Sequence, residues 1–207
     1  MMGFSFRINS RLVQALAVSA LALSIAGCGT SVERMDTAEV KDLSGAWNDT
    51  DSRLVSEEMI QDVLSRDWLP EFTRTHKKKP AVIVGEVLNL SNEHVNVNTF
   101  TADMERALIN SGKIQFVASK GERGEIREER KDQDIHARED TRNPMGKELG
   151  ADFILTGTIN TIVDPSGSTQ VRFYQVNMTL TSLADNRKVW IGQKEIRKLV
   201  TRSQLRY

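Results

Sequence analysis

From Asp51 onward the polar and apolar positions fall into a helical period: Leu54, Val55, Met59, Ile60, Val63 and Leu64 share one face, with Ser, Glu, Asp and Arg between them. This predicts a helix over 51–68, ended by Trp68, Leu69 and Pro70 and followed by an exposed basic loop, 73–79. The continuous apolar run 81–87 (AVIVGEV) predicts a strand buried on both faces. After an Asn-rich loop, Phe100, Met104, Ala107 and Leu108 form the buried face of a second helix, capped by Asn98 or Thr99 and stopped at Ser111-Gly112. Residues 114–118 (IQFVA) predict a short strand, and 122–134 a solvated helix laced with ion pairs of both signs. Asn143-Pro144 starts a short helix to Leu149.

The last third changes period. Strand 153–163 turns over at Asp164-Pro165-Ser166-Gly167-Ser168. Strand 170–182 then alternates, with Tyr174, Val176, Met178 and Leu180 on a dry face and Gln175, Asn177, Thr179 and Thr181 on a wet one. A second tight turn at 184–187 leads into a strand over 189–198. Strands separated by helices, followed by a meander, predict an α/β chain of the α+β kind: one mixed sheet with its helices packed on it.

The N-terminus follows other rules. Arg7 and Arg11 precede the apolar stretch 12–25, which at 14 residues is too short to cross a bilayer of roughly 30 Å as a helix. It reads as a signal peptide over 1–27. Ile25-Ala26-Gly27-Cys28 resembles the bacterial lipobox, in which the cysteine becomes the acylated first residue; Cys28 is thus expected to be a lipid attachment site. Gly29 stands where an Asp would signal inner-membrane retention, so the expected location is the outer membrane, on its periplasmic face. Residues 28–50 read as a lipidated tether without proline, spanning about 75 Å at full stretch and nearer 25 Å as a coil. Trp47 is its one large apolar group and a candidate to dock on the globular domain, 51–207.

Composition removes several functions. With 28 basic and 28 acidic side chains the chain has no global positive field for nucleic acid. Cys28 is the sole cysteine, so no internal disulfide forms. His76, His94 and His136 lie in polar stretches without metal-ligand spacing, and no nucleophile motif, Walker loop or dinucleotide fingerprint occurs. Glu57, Glu58 and the acids of 122–140 are runs of solvated charge and not a paired catalytic site. The reading is of a non-enzyme without cofactor or metal.

The run 81–87, the Asn-rich loop, the helix ending Asn110-Ser111-Gly112-Lys113, Phe116-Val117-Ala118-Ser119, Leu149 to Leu155, Val176 to Leu180 and Lys188-Val189-Trp190 together resemble the LpoB family of outer-membrane lipoproteins. The resemblance covers residues 80–198. It implies a fold similar to the N-terminal domain of TolB and of curli-secretion lipoproteins. It also implies a function: binding and activating a bifunctional, class A penicillin-binding protein, so regulating peptidoglycan synthesis and with it the cell wall and cell shape, with the activator a monomer held to the membrane by its lipid. The alternatives are an envelope scaffold or a curli-secretion-like lipoprotein with another partner. Enterobacterial members carry a long Pro-rich stretch where this chain has the short tether. No interface residue carries over by motif. The basic loop, with Lys77, Lys78 and Lys79, and the segment 122–140 are the candidate contact surfaces.

Overall fold

The computed structural model describes residues 32–36, 39 and 42–201, and the fold below is that of the unit beginning at residue 40. Its helices are α1 (Asp49–Ser65), α2 (Trp68–His76), α3 (Val97–Asn110) and α4 (Arg123–His136). Its strands are β1 (Ala81–Asn89), β2 (Gln115–Phe116), β3 (Phe153–Ser166), β4 (Thr169–Ser182) and β5 (Lys188–Thr201). The sheet order is β2-β1-β3-β4-β5. β1 pairs in parallel with β2 and β3, and β3, β4 and β5 form an antiparallel meander. This is the single mixed sheet the sequence pattern predicts.

The core lies between one sheet face and α1 with α3. Val55, Met59, Ile60 and Val63 of α1 and Phe100, Met104 and Leu108 of α3 meet Leu155 and Ile159 of β3 and Tyr174, Val176, Met178 and Leu180 of β4. Each such side chain contributes about 1.5–3 kcal/mol by leaving water. Gly157 admits this packing: a Cβ there would stand 2.2 Å from Met178 Sδ and 2.7 Å from the Asn177 carbonyl oxygen. On the other sheet face only Ala81, at the start of β1, is buried among the described strand residues, so from Ile83 onward β1 is covered on one face only. Its half-buried Ile83 corrects the expectation of a strand dry on both sides.

Several boundaries move for identifiable reasons. Leu54 is exposed rather than part of the buried stripe of α1. The expected helix 51–68 ends at Ser65, and α2 begins at Trp68 with Pro70 in its first turn, where a missing N–H leaves no hydrogen bond unmade. Most of the expected basic loop is therefore helical, and only at Lys77, in the left-handed conformation (φ 55°), does the chain leave the helix. The cap of α3 is Asn96, whose side chain accepts from the Asn98 N–H. The short helix expected at 143–149 is absent. Gly146 takes a positive φ there, and the Asn143 N–H and amide both donate to Gln133 Oε1.

The tether reading also ends earlier than expected, because residues 42–48 form a strap bound to the sheet. The Trp47 ring packs edge-on against Phe100 and Tyr174, with centroids 6.5 and 5.6 Å away. The Trp47 backbone N–H donates to Glu93 Oε2 (3.1 Å), which also accepts from the Tyr174 hydroxyl (2.8 Å), while Arg172 donates to Glu93 Oε1 (2.7 Å) and the Trp47 indole N–H donates to Ser52 Oγ (2.8 Å). Lys198 Nζ uses all three of its protons, on Asp42 Oδ1, Asp51 Oδ2 and the Ala46 carbonyl. Asn48 and Asp51 form a reciprocal capping box that starts α1.

Candidate partner-binding surface

At the end of the sheet away from the strap, α2, the start of β3 and the β4–β5 turn enclose an open cleft of about 1020 Å³. Aromatic rings build its floor. Trp68 and Phe72 each meet Phe153 edge-on at 5.1 and 5.3 Å, and His76 stacks on Phe72 at 4.2 Å. The Trp190 indole N–H donates to Asp62 Oδ2 (2.7 Å), fixing that ring on the end of α1. Partial burial pushes the Asp62 carboxyl up, but the Trp190 N–H and the adjacent Arg66 outweigh it and hold the group below the usual carboxylate range.

The rim carries both signs of charge: Arg66, Asp67 and Glu71 on the helix side, Asp185, Arg187 and Lys188 on the turn side. Hydrogen bonds from Ser182 and Arg187 bring Asp185 down to about 2, so it is ionised at any physiological pH. An aromatic floor with a mixed polar rim is the composition of a protein-docking surface, in which buried rings supply contact area and charged edges select the partner.

The two surfaces singled out in the sequence fall differently. Lys78 bonds both oxygens of Asp152 at 2.9 and 3.1 Å and lies 5.6 Å over the Phe72 ring, so it braces the cleft wall. His76 lines the same cleft. α4 buries no residue; Arg127 and Arg130 pair with Glu148, which their positive charge holds below its ordinary range, chiefly through the Arg127 hydrogen bond. It is a solvated face away from the cleft floor. Glu57 and Glu58 pair with Arg53 and Lys194. Among the described residues no group of His, Cys, Asp and Glu has the arrangement of a metal site. Cys28 and the signal peptide lie outside the described residues. The cleft itself is absent from the sequence reading. Its signal was the aromatic set Trp68, Phe72, Phe153 and Trp190, scattered over elements whose ends only the fold brings together.

A family model described as peptidoglycan-synthase activator LpoB matches residues 51–196, from α1 into β5. The chain belongs to the LpoB family. Similar solved structures include Escherichia coli LpoB, at 15% identity and a TM-score of 0.39, covering 86% of this chain and 84% of that one. The LpoB C-terminal domain from Salmonella enterica is 16% identical with a TM-score of 0.35, covering 64% of this chain and all of that domain. A Neisseria meningitidis lipoprotein is 14% identical with a TM-score of 0.38, covering 61% and 88%. No curated protein matches by sequence. LpoB-family membership makes the chain kin to regulators of a peptidoglycan synthase, and among its described residues no helix is long and apolar enough to cross a membrane.

Proposed function

We propose that this chain is a periplasmic, outer-membrane lipoprotein, attached through acylated Cys28, that binds a class A penicillin-binding protein as a monomer and activates its synthesis of peptidoglycan. The observation that carries the reading is the family match over 51–196, which runs from the first turn of α1 into β5. The lipobox Ile25-Ala26-Gly27-Cys28 supports the anchor. Activation requires that the protein bind the productive conformation of the synthase more tightly than the idle one, since equal affinity for both shifts nothing. The cleft between α2 and the β4–β5 turn is the docking surface in this reading, because it joins aromatic contact area to a selective charged rim.

The test is crosslinking of the tagged, lipidated protein in cells, with identification of captured proteins by mass spectrometry, followed by glycan polymerisation with purified components. A captured class A synthase whose rate rises several-fold on addition of the lipoprotein is the expected result. An abundant, anchored bait that captures no synthase, or a synthase whose rate does not respond at saturation, overturns the reading. In the same assay the charge reversals Glu71→Lys and Arg187→Glu, both on the solvated rim, weaken binding tenfold or more while circular dichroism stays unchanged.

A further inference from the structure

Strands β3, β4 and β5 run on beyond β1, whose last ladder partner on β3 is Ile159. On the face of this extension turned away from the helices, cross-strand pairing sets Ile162 opposite Phe173 and Phe173 opposite Arg197. One row further out, Asp164, Val171 and Leu199 stand side by side. Ile162 is 64% and Leu199 72% exposed, and the Arg197 guanidinium lies 5.5 Å over the Phe173 ring. Nothing within the described residues covers these aliphatic groups, while the other face of the same extension is occupied by the strap. There Gly45 packs against Val200, and Lys198 holds Asp42.

The described domain thus begins at this end of the sheet, about 14 residues downstream of Cys28. A chain of that length spans no more than about 50 Å even at full stretch. A surface tied so closely to a bilayer meets it at high effective concentration, so a contact too weak to hold a free protein is populated here. We propose that Ile162, Val171, Phe173 and Leu199, with Arg197, form a membrane contact that lays the end of the ribbon on the phospholipid leaflet carrying the Cys28 acyl chains.

The chemistry suits the boundary between headgroups and acyl chains. Aliphatic and aromatic groups enter it, and Arg197, its stem along Phe173, reaches back to a phosphate. Asp164 and Glu195 on the same face keep the contact shallow, because carboxylates are expensive at depth. The inference rests on the anchor part of the proposed function and is independent of the synthase.

The test places a nitroxide on Ile162→Cys or Leu199→Cys of the full lipidated protein, where acylation of Cys28 leaves the introduced thiol as the one available to label. Ile191→Cys, 65% exposed at the other end of the same face, is the reference. The protein is reconstituted in vesicles of phosphatidylethanolamine and phosphatidylglycerol, and its co-flotation with them is established first. Labels at 162 and 199 are expected to collide several-fold more with oxygen, and several-fold less with a water-soluble nickel complex, than the label at 191. Equal accessibility at all three positions overturns the inference. Protection from both reagents at 162 and 199 also overturns it, since that signature belongs to a protein contact such as a second copy of the chain. Failure to float removes the anchor and this inference together, whereas synthase stimulation, measured without vesicles, stands apart from either result.

Discussion

Gly45 is the residue on which the strap turns. Its φ of 67° lies in the left-handed region, and a Cβ would stand 2.2 Å from Val200 Cγ2. Gly45→Ala is therefore expected to cost about 1–3 kcal/mol, or to free the strap, read as a lower thermal midpoint and a changed Trp47 emission. Tyr174 is fully buried, and both burial and the Glu93 carboxylate raise its phenol above the ordinary value. Tyr174→Phe leaves Glu93 one donor short and is expected to cost about 1–3 kcal/mol in denaturant unfolding. Burial alone would lower the pKa of Lys198; the bonds to Asp42 and Asp51 more than reverse this and raise it above 10.5. A raised folded pKa means that the contribution is complete below 10.5 and disappears as pH rises through the folded value. The wild-type strap should therefore loosen in strong alkali, and the Lys198→Met variant should lack that transition in Trp47 fluorescence.

Among the elements, legibility followed periodicity. β4 is legible residue by residue because Tyr174, Val176, Met178 and Leu180 alternate and one face is covered. α2 is not legible, because Pro70, which in sequence marks a helix end, sits where a helix tolerates it, and because a stretch ending in three lysines resembles a loop unless Phe72 faces Phe153. The stop of α1 at Ser65 was equally hidden: no glycine marks it, and Arg66 simply takes an extended conformation. The span of α4 is legible to within two residues, and so is its exposure, for a helix with only Ile126 and Ile135 apolar has nothing to bury. Its amides are accordingly expected to exchange orders of magnitude faster than those of α1 and α3 in native-state hydrogen exchange. Glu129→Pro should melt α4 while leaving the main unfolding transition almost unmoved.

In the whole molecule the cleft and the strap occupy opposite ends of the antiparallel meander, separated by about ten residues of β5, or roughly 30 Å. No local pattern encodes that separation. It follows from three strands of 14 residues laid side by side, so no short stretch of the chain shows that the aromatic residues of α2, β3 and β5 share a cleft. Acid acts on this assembly at several places. Asp62, Glu148 and Asp185 all titrate below their ordinary values when folded, so their contribution is complete above the usual carboxylate range and is lost as pH falls through the depressed values. Stability should decline between about pH 4 and pH 2, and Asp185→Asn should make that decline shallower.

The strap also decides how the protein carries load. A pull between Cys28 and a partner held in the cleft enters the domain at Asp42 and loads the Asp42–Lys198 bond and the Gly45–Val200 contact before it loads the ladders between strands. Those contacts peel one after another, whereas the ladders of β3, β4 and β5 must break many bonds together. Release of residues 42–48 pays out about 20 Å of chain before α1 is strained. A single-molecule pull from residue 28 should therefore show a short, low-force extension ahead of domain rupture, and Lys198→Met should lower the force of the first step alone. The clasp is a mechanical fuse: it adds slack to a short line while the fold at its end stays whole.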